Sequence, residues 1–235
     1  MIARPMSDAA SHPPPPAVAR SGEVPIGRYD HDDDLLAATR EDGRARGRVY
    51  QPQAVSVVLG QGSKPGVEVL ADACRDDGVP VLRRAGGGCA VVLDPGNVVV
   101  TAAFPAAVGL GIHRTFALLS DWLLGALAGL GLRDLHREGV SDLAYGDRKV
   151  GGACLYLPRR VMLYSVTLLC EPEVDLMERY LAHPPREPAY RRGRRHRDFV
   201  GRLADLPGGW TAKRLTAALG TGLDPTTLKL PPSDR

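Results

Sequence analysis

The sequence predicts an α+β domain, a mixed β-sheet packed with helices. Three observations predict it. Strand-like and helix-like runs follow one another irregularly, without the steady alternation of a doubly wound sheet. The 235 residues suit one compact domain with tails, and 44% of them are hydrophobic, enough for an ordinary core. Glycine (27) and proline (20) are plentiful, so many loops are expected.

In order along the chain, residues 1–25 hold Pro13 to Pro16 and little to bury, and read as a disordered tail. Asp32 to Arg40 is a short helix candidate whose early aspartates suit the helix dipole. "AVSVVLG", Ala54 to Gly60, reads as a buried strand. Val67 to Gly78 places Val67, Leu70, Ala71 and Cys74 on one helical face and stops at glycine. "VPVLRR" is a short strand. "CAVVLD" and "NVVVTAAF" read as strands of a hairpin joined by the turn "DPGN". "HRTFALLSDWLLGALAGLGL" is the strongest helix, with Phe116, Leu119, Trp122, Leu123, Ala126 and Leu130 at helical spacing. "SDLAYGDRKVGGACLYLPRRVMLYSVTLLC" reads as three strands with two turns, and "PEVDLMERYLA" as a helix. A basic loop running into a helix follows, then a short helix at Ala212 to Leu219 and a polar tail. The expected organisation is a tail at 1–25, a catalytic-type domain at 26–210, and a short helix with polar tail at 211–235.

Composition narrows the function. A net charge of +3 is too small to imply nucleic acid or a membrane surface, and 5% aromatics gives little for base stacking. The start "MIARPMSDAASHPPPP" lacks the apolar stretch of a signal peptide. No run approaches the ~18 apolar residues of a membrane helix. Cys74, Cys89, Cys154 and Cys170 form no CxxC pair and read as small buried side chains of a reduced, cytoplasmic protein. His113, His136 and His183 lack metal-ligand spacing.

Two stretches carry chemistry. In "RRAGGGCAVVLDPGN" three glycines let backbone N–H groups approach an anion, and Arg83 and Arg84 add permanent charge. The spacing fits neither a Walker loop nor a Rossmann fingerprint. A tight turn between surface arginines is the plain alternative. On a strand the two arginines face opposite ways, so one of them is expected to reach a ligand. In "EGVSDLAYGDRKVGGACLY", Asp142 precedes Lys149 by seven residues, and two glycines follow the lysine. An exposed hairpin lysine is the plain alternative there.

Taken together and in this order, these stretches resemble the lipoate–protein ligase A family, grouped with biotin ligases and octanoyltransferases. Its members carry R-R-x-S-G-G-G-x-V followed by Asp and G-N, then N-D, a turn of the type G-D-R-K-V-S-G, and an aliphatic strand. "VVLGQGSKPGVEVLADACRDDGVPVLRR" upstream and "YLAHPPREPAYRRGRRHRDFVGRL" downstream are similar to flanking segments of the family. The resemblance covers roughly Val49 to Leu206. It implies the biotin/lipoate ligase-like catalytic fold and a two-step reaction. Lipoate or octanoate reacts with ATP to an acyl-adenylate, and a lysine of a lipoyl domain then takes the acyl group. The acceptors implied are of the glycine cleavage H-protein or 2-oxoacid dehydrogenase E2 type. An accessory domain on a separate chain is a further expectation.

The resemblance also implies the site. Lys149 is the essential lysine, touching the activated carboxylate and the α-phosphate. Arg83 is the phosphate-binding arginine. Arg84, Gly86, Gly87, Gly88, Cys89, Ala90, Val91, Asp142 and Gly152 complete the substrate and ATP set. Mg²⁺ is expected with ATP, with Asp142 a candidate contact, direct or through water. No metal ligands are otherwise assigned. Charge neutralisation should dominate such a site, because it holds a carboxylate beside a triphosphate. "AVVL" and "VVVTAAF" are either groove lining for the dithiolane tail or core.

Ala85, Ser141, Gly151 and Ser165 depart from the family's serine, asparagine, serine and histidine. They thin the neutral hydrogen bonders and spare the cations and glycines. The alternatives are an octanoyl or lipoyl transferase, which needs a nucleophilic cysteine, and a non-catalytic lipoyl-binding relative. Arg191, Arg192, Arg194, Arg195, Arg197 and Arg202 around His196 form either a solvated face or a dock for an acidic partner.

Overall fold

The computed structural model describes residues 24–105 and 111–228, and the α+β class holds. The elements run β1 (Ile26–Arg28), α1 (Asp33–Asp42), β2 (Arg46–Tyr50), β3 (Ser56–Leu59), α2 (Pro65–Glu68), α3 (Ala71–Asp76), β4 (Val81–Arg83), β5 (Val91–Leu93) and β6 (Asn97–Pro105). Then come α4 (Ile112–Gly129), β7 (Leu135–Glu138), β8 (Asp142–Tyr145), β9 (Arg148–Tyr156), β10 (Val161–Leu169), α5 (Val174–Tyr180), α6 (His196–Phe199) and α7 (Ala212–Gly222). The expected tail at 1–25 lies outside the described residues except for Val24 and Pro25, and so does the end of the polar tail beyond residue 228.

The strands divide between two sheets. The smaller is mixed, in the order β1-β4-β3-β5, and the larger is antiparallel, β2-β6-β10-β9-β8-β7. Strand alternation sorts the side chains into layers. Val98, Val100, Ala102 and Phe104 of β6 pack with Tyr164, Val166 and Leu168 of β10 against α4 and α7. The opposite face of β6 and β10 carries Ala103 and Leu163 under α1. On that same face, Val99 meets Val58 and Leu93 of the smaller sheet. Beyond the smaller sheet, Val57 and Leu59 join Cys74, Met177 and Tyr180 under α3 and α5. Leu215 and Leu219 of α7 and the neighbouring Trp210 lie in the larger core. Among the described residues no helix is long and apolar enough to cross a membrane.

Two expectations are corrected. β5 and β6 are not a hairpin: β5 pairs with β3 and β6 pairs with β2 and β10. The "DPGN" turn passes the chain between sheets because its polar groups find partners outside it. Glu171 N donates to Gly96 O at 2.7 Å and Glu173 N to Asp94 Oδ2 at 3.2 Å. The helix read over Val67 to Gly78 is broken at Val69, which bridges Leu181 in extended conformation. Leu70 N donates to Tyr180 O and Ala182 N to Glu68 O, so tertiary pairing displaces helical bonds here. Val67 and Leu70 are therefore exposed, while Val69 and Cys74 are buried. β1, β2 and β7 have no counterpart in the sequence reading.

Candidate active site

The β8–β9 hairpin builds the lysine end of the site. Asp142 pairs with Gly152, Leu143 with Gly151, and Ala144 with Lys149, so Val150 is an extra residue forming a bulge. The bulge keeps Val150 and Gly151 on the buried side and brings Lys149 to the same side as Asp142 and Gly152. Lys149 Nζ donates to Asp142 Oδ1 at 2.7 Å. Tyr190, on the loop after α5, donates its hydroxyl to Asp142 Oδ2 at 3.0 Å. Asp142 is buried, so both its oxygens need such partners.

The glycine loop is held from within the protein. Arg84 donates through Nη1 to Val58 O at 3.0 Å and through Nη2 to Gly87 O and Cys89 O at 2.7 and 2.9 Å. Arg83 reaches the other way, its Nη1 donating to Gly60 O at 2.8 Å and Ser63 O at 3.1 Å. Glu68, buried, accepts from Ala90 N at 2.7 Å, Ser63 Oγ at 2.9 Å and Lys64 N at 3.1 Å. A Cβ at Gly60 would sit 2.0 Å from Gly88 O, so the two loops touch backbone to backbone. Gly88 has φ +95°, a conformation that suits glycine.

Between the two sheets lies a cavity of about 650 Å³. Arg84, Gly87, Gly88, Cys89, Ala90, Val91, Asp142, Lys149 and Gly152 all line it. Val58, Val99, Phe116, Leu169 and Met177 supply apolar wall. Arg83 and Gly86 stand apart from it. Arg83 lines a neighbouring depression of about 450 Å³ with Arg28, Gln61 and Ala85. Gly86 is buried beneath the loop, where a Cβ would come within 2.7 Å of Cys154 Sγ.

Several residues at or beside the cavity escaped the sequence reading. Tyr29 lines both hollows and bonds its hydroxyl to that of Tyr50. Tyr190 sits in a stretch whose arginines dominate its pattern, and nothing local marks it. Burial, and then the Asp142 charge, push its phenol pKa up, so it stays a donor. Arg191 and His196, read as a solvated or docking face, are buried and line the cavity. Arg191 lies over the Phe199 ring, with its carbon 4.9 Å from the centroid. Burial, and then Arg191, push His196 down to about 4, so it is neutral near pH 7. The rest of the cluster is largely paired within the chain. Arg194 meets Asp147 at 2.7 Å, Arg195 meets Glu178 at 3.5 Å, and Arg197 meets Asp175 at 3.3 Å.

Cys74 and Cys170 are buried as read, whereas Cys89 and Cys154 are partly exposed on the cavity wall. Burial pushes the Cys154 thiol up, against the pull of Arg84. Of the departing residues, Ser141 and Ser165 line the cavity and Ala85 the depression. Gly151 faces the core, where a Cβ would lie 3.3 Å from Leu168 Cδ2 and Thr167 O. Asp142, the expected Mg²⁺ contact, is already bonded on both sides. No three His, Cys, Asp or Glu side chains converge among the described residues.

Comparison with known proteins gives one family. The lipoyl protein ligase A/B catalytic domain model matches residues 29–223. A candidate lipoate-protein ligase A of Aeropyrum pernix is 34% identical over 149 residues, 63% of this chain and 54% of that protein. Lipoate–protein ligase 2 of Staphylococcus aureus is 27% identical over 125 residues, 53% of this chain and 36% of that protein. The matches thus span about half or less of these relatives' lengths. Among solved structures, a bi-partite lipoate protein ligase of Thermoplasma acidophilum, described with its E2 lipoyl domain, superposes with TM-score 0.71 at 19% identity, covering 90% of this chain and 84% of that one. A lipoate-protein ligase A bound with ATP gives 0.69 at 20% identity, covering 88% and 86%. At such identity the structures show the fold, and the family model shows the membership: this chain belongs to the lipoyl protein ligase A/B catalytic-domain family.

Proposed function

We propose that this protein is an ATP-dependent lipoate–protein ligase that activates lipoate or octanoate as the acyl-adenylate and transfers it to a lysine of a lipoyl domain. The observation that carries the reading is the convergence of Lys149, Arg84 and the backbone of Gly87 to Val91 on one cavity with an apolar wall. A carboxylate oxygen attacks the α-phosphorus, and pyrophosphate leaves. The amine of the acceptor lysine then attacks the acyl carbon, and AMP leaves. Lys149 supplies the positive charge where negative charge accumulates, and the apolar wall keeps water from the mixed anhydride. Glu68 and Arg84 hold the glycine loop in place before substrate arrives. Arg83 orders the adjoining loop and sets charge on the flank of the site. Mg²⁺ enters this reading as an ion carried by the triphosphate.

Relatives of the same fold support the ligands and the acceptor: one is bound with ATP, one with lipoic acid, and one is described with its E2 lipoyl domain. We extend this to acceptors of the E2 type or the glycine cleavage H-protein. The bi-partite relative also supports a separate accessory chain. The test is intact-mass spectrometry of an apo lipoyl domain incubated with this protein, lipoate, ATP and Mg²⁺. A lipoyl gain that vanishes without ATP is expected, from the single chain or with an accessory chain added. The presence of Cys154 on the cavity wall favours a second reading, acyl transfer through a thioester. Acylation from octanoyl–acyl carrier protein without ATP would select it. ATP binding without acylation under any of these conditions would leave the binding-only relative.

A further inference from the structure

The basic segment between Ala189 and Gly201 wraps the hairpin that carries Lys149. Arg194 donates to Asp147 Oδ2 at 2.7 Å and to Asp147 O at 2.8 Å, at the hairpin tip. On the far strand, Gly201 N donates to Lys149 O at 2.8 Å, and Arg148 Nη1 donates to Val200 O at 3.1 Å. Tyr190 projects from this segment toward Asp142. Its ring rests 4.9 Å from that of Phe199, which is itself covered by Arg191 and Arg194. The hydroxyl therefore approaches the carboxylate from a fixed platform.

We propose that Tyr190 is a positioning residue for Lys149: it binds the Asp142 oxygen that the lysine leaves free, and so fixes the carboxylate that aims Nζ into the cavity. Asp142 has one oxygen on the lysine and one on the phenol. Without the phenol the carboxylate can turn about its side-chain torsion, and the ammonium turns with it. A hydrogen bond to a charged group in a buried place is among the stronger ones. The basic segment thus acts on the reaction through one hydroxyl. The arginines around it are the frame that holds it.

The inference rests on the ligase reading for its kinetic consequence only; the geometric consequence is measured separately. Tyr190→Phe keeps the ring and its contact with Phe199. Trace acetylation by acetic anhydride, read by peptide mass spectrometry, reports the accessibility and freedom of each amine, with Lys64 and Lys213 as internal references. In Tyr190→Phe, Lys149 should label about tenfold faster or more relative to them, the loss expected for one bond to a charged group. Replacement by 3-fluorotyrosine, which keeps the hydroxyl, should label as the wild type does. In pyrophosphate release the Phe variant should lose about tenfold or more in kcat, with KM for ATP unchanged. An unchanged labelling ratio in Tyr190→Phe, or a fluorotyrosine protein that labels like the Phe variant, overturns the proposal. A defect confined to KM overturns it as well. A wild type that releases no pyrophosphate, alone or with an accessory chain added, would instead sink the ligase reading, and the labelling would still decide the role of Tyr190.

Discussion

Cε and Nζ of Lys149 lie 2.9 Å from the place where a Cβ on Gly152 would stand. The two residues are three apart on β9, an odd interval that strict alternation would send to opposite faces. The bulge at Val150 cancels that parity and puts them together. Gly152 is therefore a vacant seat for the lysine.

Gly152→Ala should disturb the lysine more than the fold. The methyl group meets the far end of a flexible side chain, which can move, so stability should change by no more than about 1 kcal/mol. Adenylate formation should fall by about tenfold or more, since a displacement of an ångström at a reacting group is costly. Urea unfolding together with pyrophosphate release checks both. A variant of full activity would show that the lysine does not need that seat.

Lys149→Ala should abolish adenylate formation while leaving the fold intact. A charge acting in the transition state is typically worth 10² or more in rate. The expected readout is loss of lipoate-dependent pyrophosphate release with an unchanged circular dichroism spectrum. Normal turnover would falsify the mechanism.

Glu68→Ala should loosen the glycine loop. It strips acceptors from the amides of Lys64 and Ala90 and from the Ser63 hydroxyl, all near a buried carboxylate. The cost should be about 3 kcal/mol in chemical denaturation, with faster amide exchange at Ala90 and a higher KM for ATP. Unaltered exchange at Ala90 would mean that the loop is held by Arg84 without it.

His196 should make stability depend on pH. Its pKa is pushed from 6.5 down to about 4. As pH falls below 6.5, the unfolded chain takes a proton that the folded chain refuses until about pH 4. The contribution is thus complete above pH 6.5 and is lost across that interval, up to about 3 kcal/mol. Asp32, pushed by burial from 3.8 up to about 6, acts in the opposite sense, favouring the folded state as pH falls through 6. The two partly cancel in the wild type. The stability difference between wild type and His196→Gln, measured in urea at pH 7.5 and at pH 4.5, isolates the histidine and should shrink toward the lower pH. A constant difference would show that His196 titrates normally.

Much of the fold was legible because its periods are strong. α4 spans 18 residues with Phe116, Leu119 and Leu123 buried, as helical spacing foretold. β8, β9 and β10 follow the strand–turn–strand reading of their segment. The edge strands β1, β2 and β7 were not legible, because their residues are polar and partly exposed. Their strand state comes from backbone pairing with a neighbour. Among the residues that meet at the cavity, Lys149, Asp142, Gly87, Gly88 and Gly152 carry motif and family resemblance in the sequence. Glu68, Tyr190 and His196 belong to no local pattern: Glu68 and Tyr190 each acquire their role from a partner at least 20 residues away in sequence, and His196 acquires its neutral state from burial.

By itself the sequence determined the α+β class, the main helix, the central strands of the larger sheet, and the charged and glycine residues that meet at the cavity. Periodicity and motif are local quantities, and local quantities carry that much. Tertiary structure alone decided that β5 and β6 part into different sheets, and so open the cavity between them. It decided that Arg84 lines that cavity and Arg83 the flank beside it, because successive strand residues face opposite ways and only packing says which face is which. It placed Lys149 beside Gly152 through a bulge, and a bulge reverses parity without leaving a mark in the composition.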